Sequence, residues 1–346
     1  MDPITHALAG ACAAQTVARP EQVRLAGAVG AVGGLVPDLD IFVHSSTDPM
    51  FQLVFHRQFT HSLVLVPVWA LLIAVVAWLA RGRRDGPGLL FSWAALGVLS
   101  HLLLDLVTAY GIQLLWPFSD QRFSLGWMPA VEFIFTAGIL AGLAAAIWRK
   151  SPWPARWAWV FAAGFFLLAW GQQERATRAV MEEAEARGHH VERIFVHPTI
   201  FDLVFWRALY QEDGRIHVAA VRAGRGVDVY FGDTVALEGL DQWAHLPADS
   251  VLHRDLRRFQ WFTDGWMARD PEAPELIGDL RYSNEPHRSN PLWGVLFDPE
   301  YPDRPAVLVH TRGLFDRDWA AWLDLLADPE EPPEDAEVAT ERSDEE

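Results

Sequence analysis

The chain has 346 residues, 51% of them hydrophobic, with 17 Trp, 20 Phe and one Cys, a composition that excludes a disordered, collagen-like or disulfide-stapled protein. Its net charge of −17 averages two unlike halves: residues 1–172 hold 10 basic and 9 acidic side chains, residues 173–346 hold 18 and 36. No basic cluster of the kind that releases counterions from a duplex is present, so direct nucleic-acid binding is not expected.

A bilayer core of about 30 Å requires roughly 20 mostly apolar helical residues. In chain order, the segments that read as spans are Ile4 to Ala18, short and Ala-rich, and Leu25 to Val43, interrupted by Gly33, Gly34 and Pro37. Leu63 to Ala80, Leu89 to Thr108, Ala130 to Trp148 and Pro154 to Gly171 follow. The pattern predicts a mainly α membrane helix bundle of about six spans over residues 1–172. Asp2, Thr5 and His6 stand where a secretory signal would carry basic residues, so the N-terminal segment is expected to persist in the mature protein. Arg19 and Arg24, then Arg81, Arg83 and Arg84, then Arg149, Lys150 and Arg156 occupy alternate loops, which the positive-inside rule assigns to the cytoplasm. The expected location is the cell inner (cytoplasmic) membrane, multi-pass, with the C-terminal domain extracytoplasmic. Ten of the seventeen tryptophans lie between Trp69 and Trp170, as interfacial anchoring requires.

After Gly171 the charged run GQQERATRAVMEEAEARGHH reads as a helix leaving the membrane. Residues 173–327 then read as an α+β domain. Its strand candidates are Leu203 to Tyr210, Ile216 to Ala223, Val227 to Phe231, Leu276 to Tyr282, Leu292 to Phe297 and Ala306 to Thr311. DLRRFQWFTDGWMA and RDWAAWLDLLA carry helical spacing. Residues 328–346 form an acidic tail expected to be disordered. Asp279 and Arg281 read as a strand-borne structural salt bridge, and the histidines at 189, 190, 197, 217, 245, 253, 287 and 310 are too scattered to form a ligand motif.

Ionisable side chains are costly at membrane depth, so those present are usually paired, water-facing or functional. Here they are His6, Asp38, Asp40, His56, His61, His101 and Asp105, and each falls at the outward end of its predicted helix or in an outward loop. Their convergence from sequence-distant segments points to a metal. In SHLLLD the histidine and aspartate stand at i and i+4, on one helix face. GGLVPDLD sets two carboxylates behind a proline that ends or kinks the helix, and HRQFTHS supplies two imidazoles with Arg57 between them. Imidazole with carboxylate suits a divalent metal ion, Zn²⁺ first and Mn²⁺ or Fe²⁺ after it, and one cysteine excludes an iron–sulfur site.

MDPITHALAG, GGLVPDLD, HRQFTHS and SHLLLDLVTAYG with the following WPF stand in order over about the first 120 residues. In these motifs the chain resembles the YdjM-type inner-membrane metal-dependent hydrolases, also labelled LexA-binding, inner membrane-associated hydrolases. HPTIFDLVFWRALY and DLRYSNEP resemble the family's longer members. The resemblance implies a metal-dependent, hydrolytic membrane protein with the seven His and Asp residues as its site; no feature of the chain supports the LexA part of the label. The expectation is a hydrolase whose site near the outer leaflet cuts an ester, phosphoester or amide of a lipid or lipid-linked molecule. Asp38 or Asp105 would be the proton acceptor, and Arg57 would either stabilise developing negative charge or contact lipid headgroups. The alternatives are an ion- or proton-coupled transporter and a non-catalytic membrane scaffold with a structural metal. Expected partners are membrane lipids and a small-molecule or lipid-linked substrate.

Overall fold

The computed structural model describes residues 1–199, 203–270 and 273–311. Its contacts divide the chain into two units, one of Met1–Gln173 with His197–Leu203, the other of Glu174–Val196 with the rest. The acidic tail and the RDWAAWLDLLA segment lie outside the described residues.

In the first unit α1 (Pro3–Gln15) is capped by Asp2, whose carboxylate accepts the Thr5 backbone N–H at 2.9 Å. α2 (Val23–Leu35) stops where Pro37 cannot continue it and tightens into a 3₁₀ segment, Val36–Phe42. A short α3 (Phe51–Phe55) and 3₁₀ turns at Phe59–His61 and Leu63–Leu65 lead into α4 (Val66–Ala80). α5 (Pro87–Leu106), α6 (Phe133–Arg149) and α7 (Trp153–Ala186) complete the bundle.

Among the described residues, three helical stretches are long and apolar enough to cross a membrane: Pro20–Phe42, Leu63–Ala80 and Pro87–Leu106. The expectation of six spans is therefore corrected to three. α1 has 13 residues, about 20 Å at 1.5 Å per residue, against a hydrocarbon core of about 30 Å. α6, with 17 residues, is also short. In α7, Arg156 and the tryptophans at 157, 159 and 170 dilute the apolar stretch.

The helices α1, α2 and α5 meet on glycine. A Cβ built on Gly10 would lie 2.4 Å from the Gly30 carbonyl oxygen, one on Gly34 2.2 Å from that of His6, and one on Gly97 2.3 Å from that of Gly30. Small residues allow such main-chain approach, and dispersion and local polar contacts then hold helices that gain no hydrophobic drive from one another in lipid. Leu71, Leu72, Val76 and Leu79 of α4 point outward, as a lipid-facing surface requires.

The second unit holds two four-stranded sheets. In the first, β1 (Arg193–Pro198), β2 (Phe205–Glu212), β3 (Arg215–Ala223) and β4 (Val227–Ala236) lie in sequence order, with β2–β3 and β3–β4 antiparallel. Asp213 (φ 43°) and Gly214 (φ 72°) make the two-residue turn between β2 and β3, the left-handed pair that matches strand twist. α8 (Val251–Phe262) precedes the second sheet, an antiparallel run of β5 (Met267–Asp270), β6 (Ala273–Asp279), β7 (Trp293–Leu296) and β8 (Val307–His310). α8, capped by Ser250, begins at Val251, earlier than its apolar spacing alone announced, and buries Leu252, Leu256, Phe259 and Phe262 on one face.

Each of the six strand candidates overlaps an observed strand, while β1 and β5 carry no clear alternation and were not expected. Asp279 and Arg281 form the expected structural pair: the guanidinium donates to both carboxylate oxygens at 2.9 and 2.8 Å, and Trp293 adds its indole N–H at 3.2 Å. Arg207 is fully enclosed and donates to the carbonyls of Leu280, Pro286 and Arg288 at 2.9, 2.9 and 2.8 Å, clamping the loop that follows β6.

Candidate metal centre

The centre is assembled where α2 ends, α4 is about to begin and α5 ends. One helical turn separates His101 from Asp105, so both point from α5 into the bundle, fully buried, with Nε2 and Oδ2 3.4 Å apart. The break at Pro37 bends the chain after α2 and brings Asp38 to the same point. The turn Phe59–His61 delivers His61 from the other side.

His101 donates Nδ1–H to the Gly34 carbonyl at 2.7 Å, since that oxygen can only accept. Its Nε2 therefore carries the lone pair. Thr60 gives its one hydroxyl hydrogen to Asp40 at 2.6 Å, which leaves Thr60 Oγ1 to accept Nδ1–H from His61 at 2.9 Å. The His61 Nε2 then also carries a lone pair, and the two Nε2 atoms face each other across 3.0 Å. With both rings neutral the two unshared pairs repel at that distance, and a cation or a shared proton between them removes the conflict.

Two carboxylate oxygens complete the set. Asp38 Oδ1 lies 3.5 Å from His61 Nε2 and 3.6 Å from His101 Nε2. Asp105 Oδ2 is buried with no hydrogen bond of its own, 3.2 and 3.4 Å from the same nitrogens. A tetrahedral ion with bonds of about 2.0 to 2.2 Å holds its donors about 3.3 to 3.6 Å apart, and the observed separations fall around that edge length. Asp38, His61, His101 and Asp105 thus form a cluster that could hold a metal ion.

The other expected ligands stand one layer out. His6 contacts the second Asp105 oxygen, Nε2 to Oδ1 at 3.2 Å, and stacks on His101 with ring centroids 3.8 Å apart. Asp40 accepts from His56 at 2.8 Å, from the Arg57 backbone N–H at 3.0 Å and from Thr60, so it ties down the HRQFTH turn. Asp38, Asp40 and His56 also place one donor atom each within 4.8 Å of one another, a second group adjoining the first. Arg57 adopts φ 64°, a left-handed backbone uncommon for a residue with a side chain. That conformation turns its guanidinium inward: Nη2 is 3.1 Å from Asp105 Oδ1, and the group lies 4.6 Å from the Tyr110 ring centroid. Arg57 is 8% exposed, so the expectation of an arginine among lipid headgroups does not hold. The Met1 amino nitrogen lies 2.6 Å from the same Asp105 oxygen.

Two contributors were not anticipated. Thr60 fixes the His61 tautomer through Asp40, the outer-layer orientation typical of metal histidines. Tyr110 backs Arg57 and meets the His56 ring edge-on at 5.9 Å. Both stand inside the motifs HRQFTHS and SHLLLDLVTAYG, which was the available signal.

The profile of the YdjM inner membrane protein family matches residues 1–176. YfhP of Bacillus subtilis (strain 168), described as an uncharacterized protein, is 28% identical over 172 residues, 49% of this chain and 50% of YfhP. The inner membrane protein YbcI of Escherichia coli (strain K12) is 36% identical over 132 residues, 36% of this chain and 72% of YbcI. The chain spans about half the length of YfhP. No solved structure matches it. The matched region contains α1, α2, α4 and α5 and every residue of the buried cluster. This chain belongs to the YdjM inner membrane protein family.

Proposed function

We propose that the protein is a membrane-embedded, metal-dependent hydrolase acting on an ester, phosphoester or amide of a lipid or lipid-linked molecule. The observation that carries this reading is the convergence of two imidazole nitrogens and two carboxylate oxygens within 4.8 Å of one another inside a helix bundle. The donor set favours Zn²⁺ over Mn²⁺ and Fe²⁺. When bound, such a cation supplies Lewis acidity and activates water near neutral pH. Asp38 is the donor side chain that reaches solvent, at 19% exposure against 0% for the other three, which suits it to accept a proton from incoming water. Asp105 orients His6 and Arg57 through Oδ1 while Oδ2 faces the centre. Arg57 sets a positive charge beside the reacting position, where it stabilises developing negative charge.

The site end of the bundle is read as extracytoplasmic. Arg19, Arg24, Arg81, Arg83 and Arg84 all lie at the opposite ends of α2, α4 and α5, and the positive-inside rule puts those ends in the cytoplasm. A site at the helix ends meets headgroups and their linked groups, which is the support for a lipid-borne substrate. A proton relay would carry buried ionisable groups toward both faces. Among the described residues of the bundle, the buried His, Asp, Glu and Arg side chains are His6, Asp40, Arg57, His61, His101, Asp105 and Glu132, and they gather at one end.

One observation favours a second reading, a structural metal: four protein donors at tetrahedral spacing close a coordination shell, whereas catalytic zinc keeps a position open. Asp38→Ala separates the two. As a hydrolase, the untagged protein in detergent keeps its metal through His61, His101 and Asp105 and loses turnover of lipid-linked esters or phosphoesters. As a scaffold, it loses metal and thermal stability together. A parent chain that stays metal-free after reconstitution with Zn²⁺ and Mn²⁺ removes both readings.

A further inference from the structure

We propose a second divalent-metal site, built in the other unit from His189, Glu212 and His217. The sequence gives no hint of it, because 28 positions separate the two histidines; the β2–β3 hairpin makes it. In that hairpin Tyr210 pairs with His217 and Glu212 with Arg215, so Glu212 and His217 are diagonal neighbours on one face across the Asp213–Gly214 turn. α7 ends with Gly188 in the left-handed region (φ 79°) and the His189 N–H returning to the Ala184 carbonyl at 2.9 Å, which directs the next side chain onto the same face.

The three residues place one donor atom each within 4.8 Å of one another. Glu212 Oε2 stands between the rings, 3.3 Å from His217 Nε2 and 3.5 Å from His189 Nδ1. His217 Nε2 is buried without a hydrogen bond, so the short approach to Glu212 is not a formed donor–acceptor pair. Each inward donor of the hairpin is oriented from behind. His217 Nδ1 meets Thr234 Oγ1 at 3.0 Å on β4, whose Cα is its ladder partner, and Glu212 Oε1 accepts the His190 N–H at 2.9 Å. Tyr210 stacks flat on the His217 ring, centroids 4.6 Å apart and planes 8° off parallel, which fixes that ring's plane, while its hydroxyl lies 2.7 Å from His189 Nδ1, the nitrogen a cation would take. Orientation of ligating rings by outer partners is the arrangement metal sites use. Two imidazoles with one carboxylate is a donor set for Zn²⁺ or Fe²⁺ that leaves coordination positions open. The side chains are 27%, 17% and 12% exposed for His189, Glu212 and His217, so the cluster is shallow while His217 Nε2 itself is covered. A cation here replaces the Tyr210 hydrogen bond at His189 Nδ1.

The test counts Zn²⁺ equivalents on the full untagged chain in detergent, by competition with a chromophoric chelator, for the parent and for His189→Ala, Glu212→Gln and His217→Ala. Each variant is expected to lose the same single equivalent while its circular dichroism is unchanged, and His101→Ala is expected to retain that equivalent. Glu212→Gln keeps the shape and the His190 contact, so it reports even where an alanine variant folds poorly. Equal Zn²⁺ binding by the parent and all three variants overturns the proposal. So does loss in one variant alone, or a parent whose whole zinc content disappears with His101→Ala.

Discussion

His6 and His61 both touch Asp105, yet their replacement should have unequal effects. His61 Nε2 belongs to the cluster of four donors, and His6 reaches only the outer Asp105 oxygen. His61→Ala is expected to abolish stoichiometric metal, whereas His6→Ala should weaken affinity by about 10- to 100-fold, the usual cost of an outer-layer partner, as measured by chelator competition. His287 carries a different signature. Burial, with Arg288 beside it and Arg207 near, holds its imidazole below the ordinary value of 6.5, only partly offset by Asp233. The unfolded chain therefore binds a proton that the folded chain resists, and acidification below 6.5 favours unfolding, while above it this group contributes nothing. The melting temperature of the β-rich unit, followed by circular dichroism, should fall between about pH 7.5 and pH 5.5, and less steeply in His287→Gln. Residue identity made His101 with Asp105 legible in advance, because their spacing is a property of any helix. The role of Thr60 was not, since it depends on a turn that brings Asp40 and His61 to opposite sides of one hydroxyl.

At the level of elements, the glycine contacts of α1, α2 and α5 set how closely the ligands approach. Gly34→Ala places a methyl 2.2 Å from the His6 carbonyl and disturbs the residue whose own carbonyl holds His101. Backbone cannot yield as a flexible side chain does, so this substitution should lower the thermal stability of the detergent-solubilised chain by about 1 to 3 kcal/mol and reduce bound metal together. Gly164→Ala, inside α7 where nothing lies within 4 Å, should leave bound metal unchanged and not lower stability, which makes it the control. Strands with clear alternation and turn punctuation were readable. β5 spans only Met267–Asp270, too few positions for a period to show, and the stretch that contains it was expected to continue the helix. The break in α2 at Pro37 was readable because proline removes a donor whatever surrounds it.

For the molecule as a whole, hydropathy overstated the number of spans because α1, α6 and α7 are apolar through packing against other helices as much as through contact with lipid. Ala9, Cys12 and Ala14 of α1, Phe135 and Ile139 of α6, and Ala155 and Ala162 of α7 sit in the shared core. The basic residues flanking α2, α4 and α5 lie at the helix ends opposite the His/Asp cluster. In a Cys12→Ser background, Ser46→Cys should react with a membrane-impermeant maleimide in intact cells, and Arg83→Cys only after permeabilisation. The reverse result would turn the site toward the cytoplasm.

The glycine seam also bears on how the protein is made. α1 precedes its neighbours in the chain, is short, and has a surface shaped for Gly30 and Gly34 of α2, which rests in turn on Gly97 of α5 through Gly30. Its final seat therefore depends on a residue some ninety positions further along the chain, and Asp105, on which His6, His61, His101 and Arg57 converge, stands about two turns beyond it on the same helix. The His/Asp cluster is in this sense a report on assembly: it is whole only when α1 and the end of α5 have found each other.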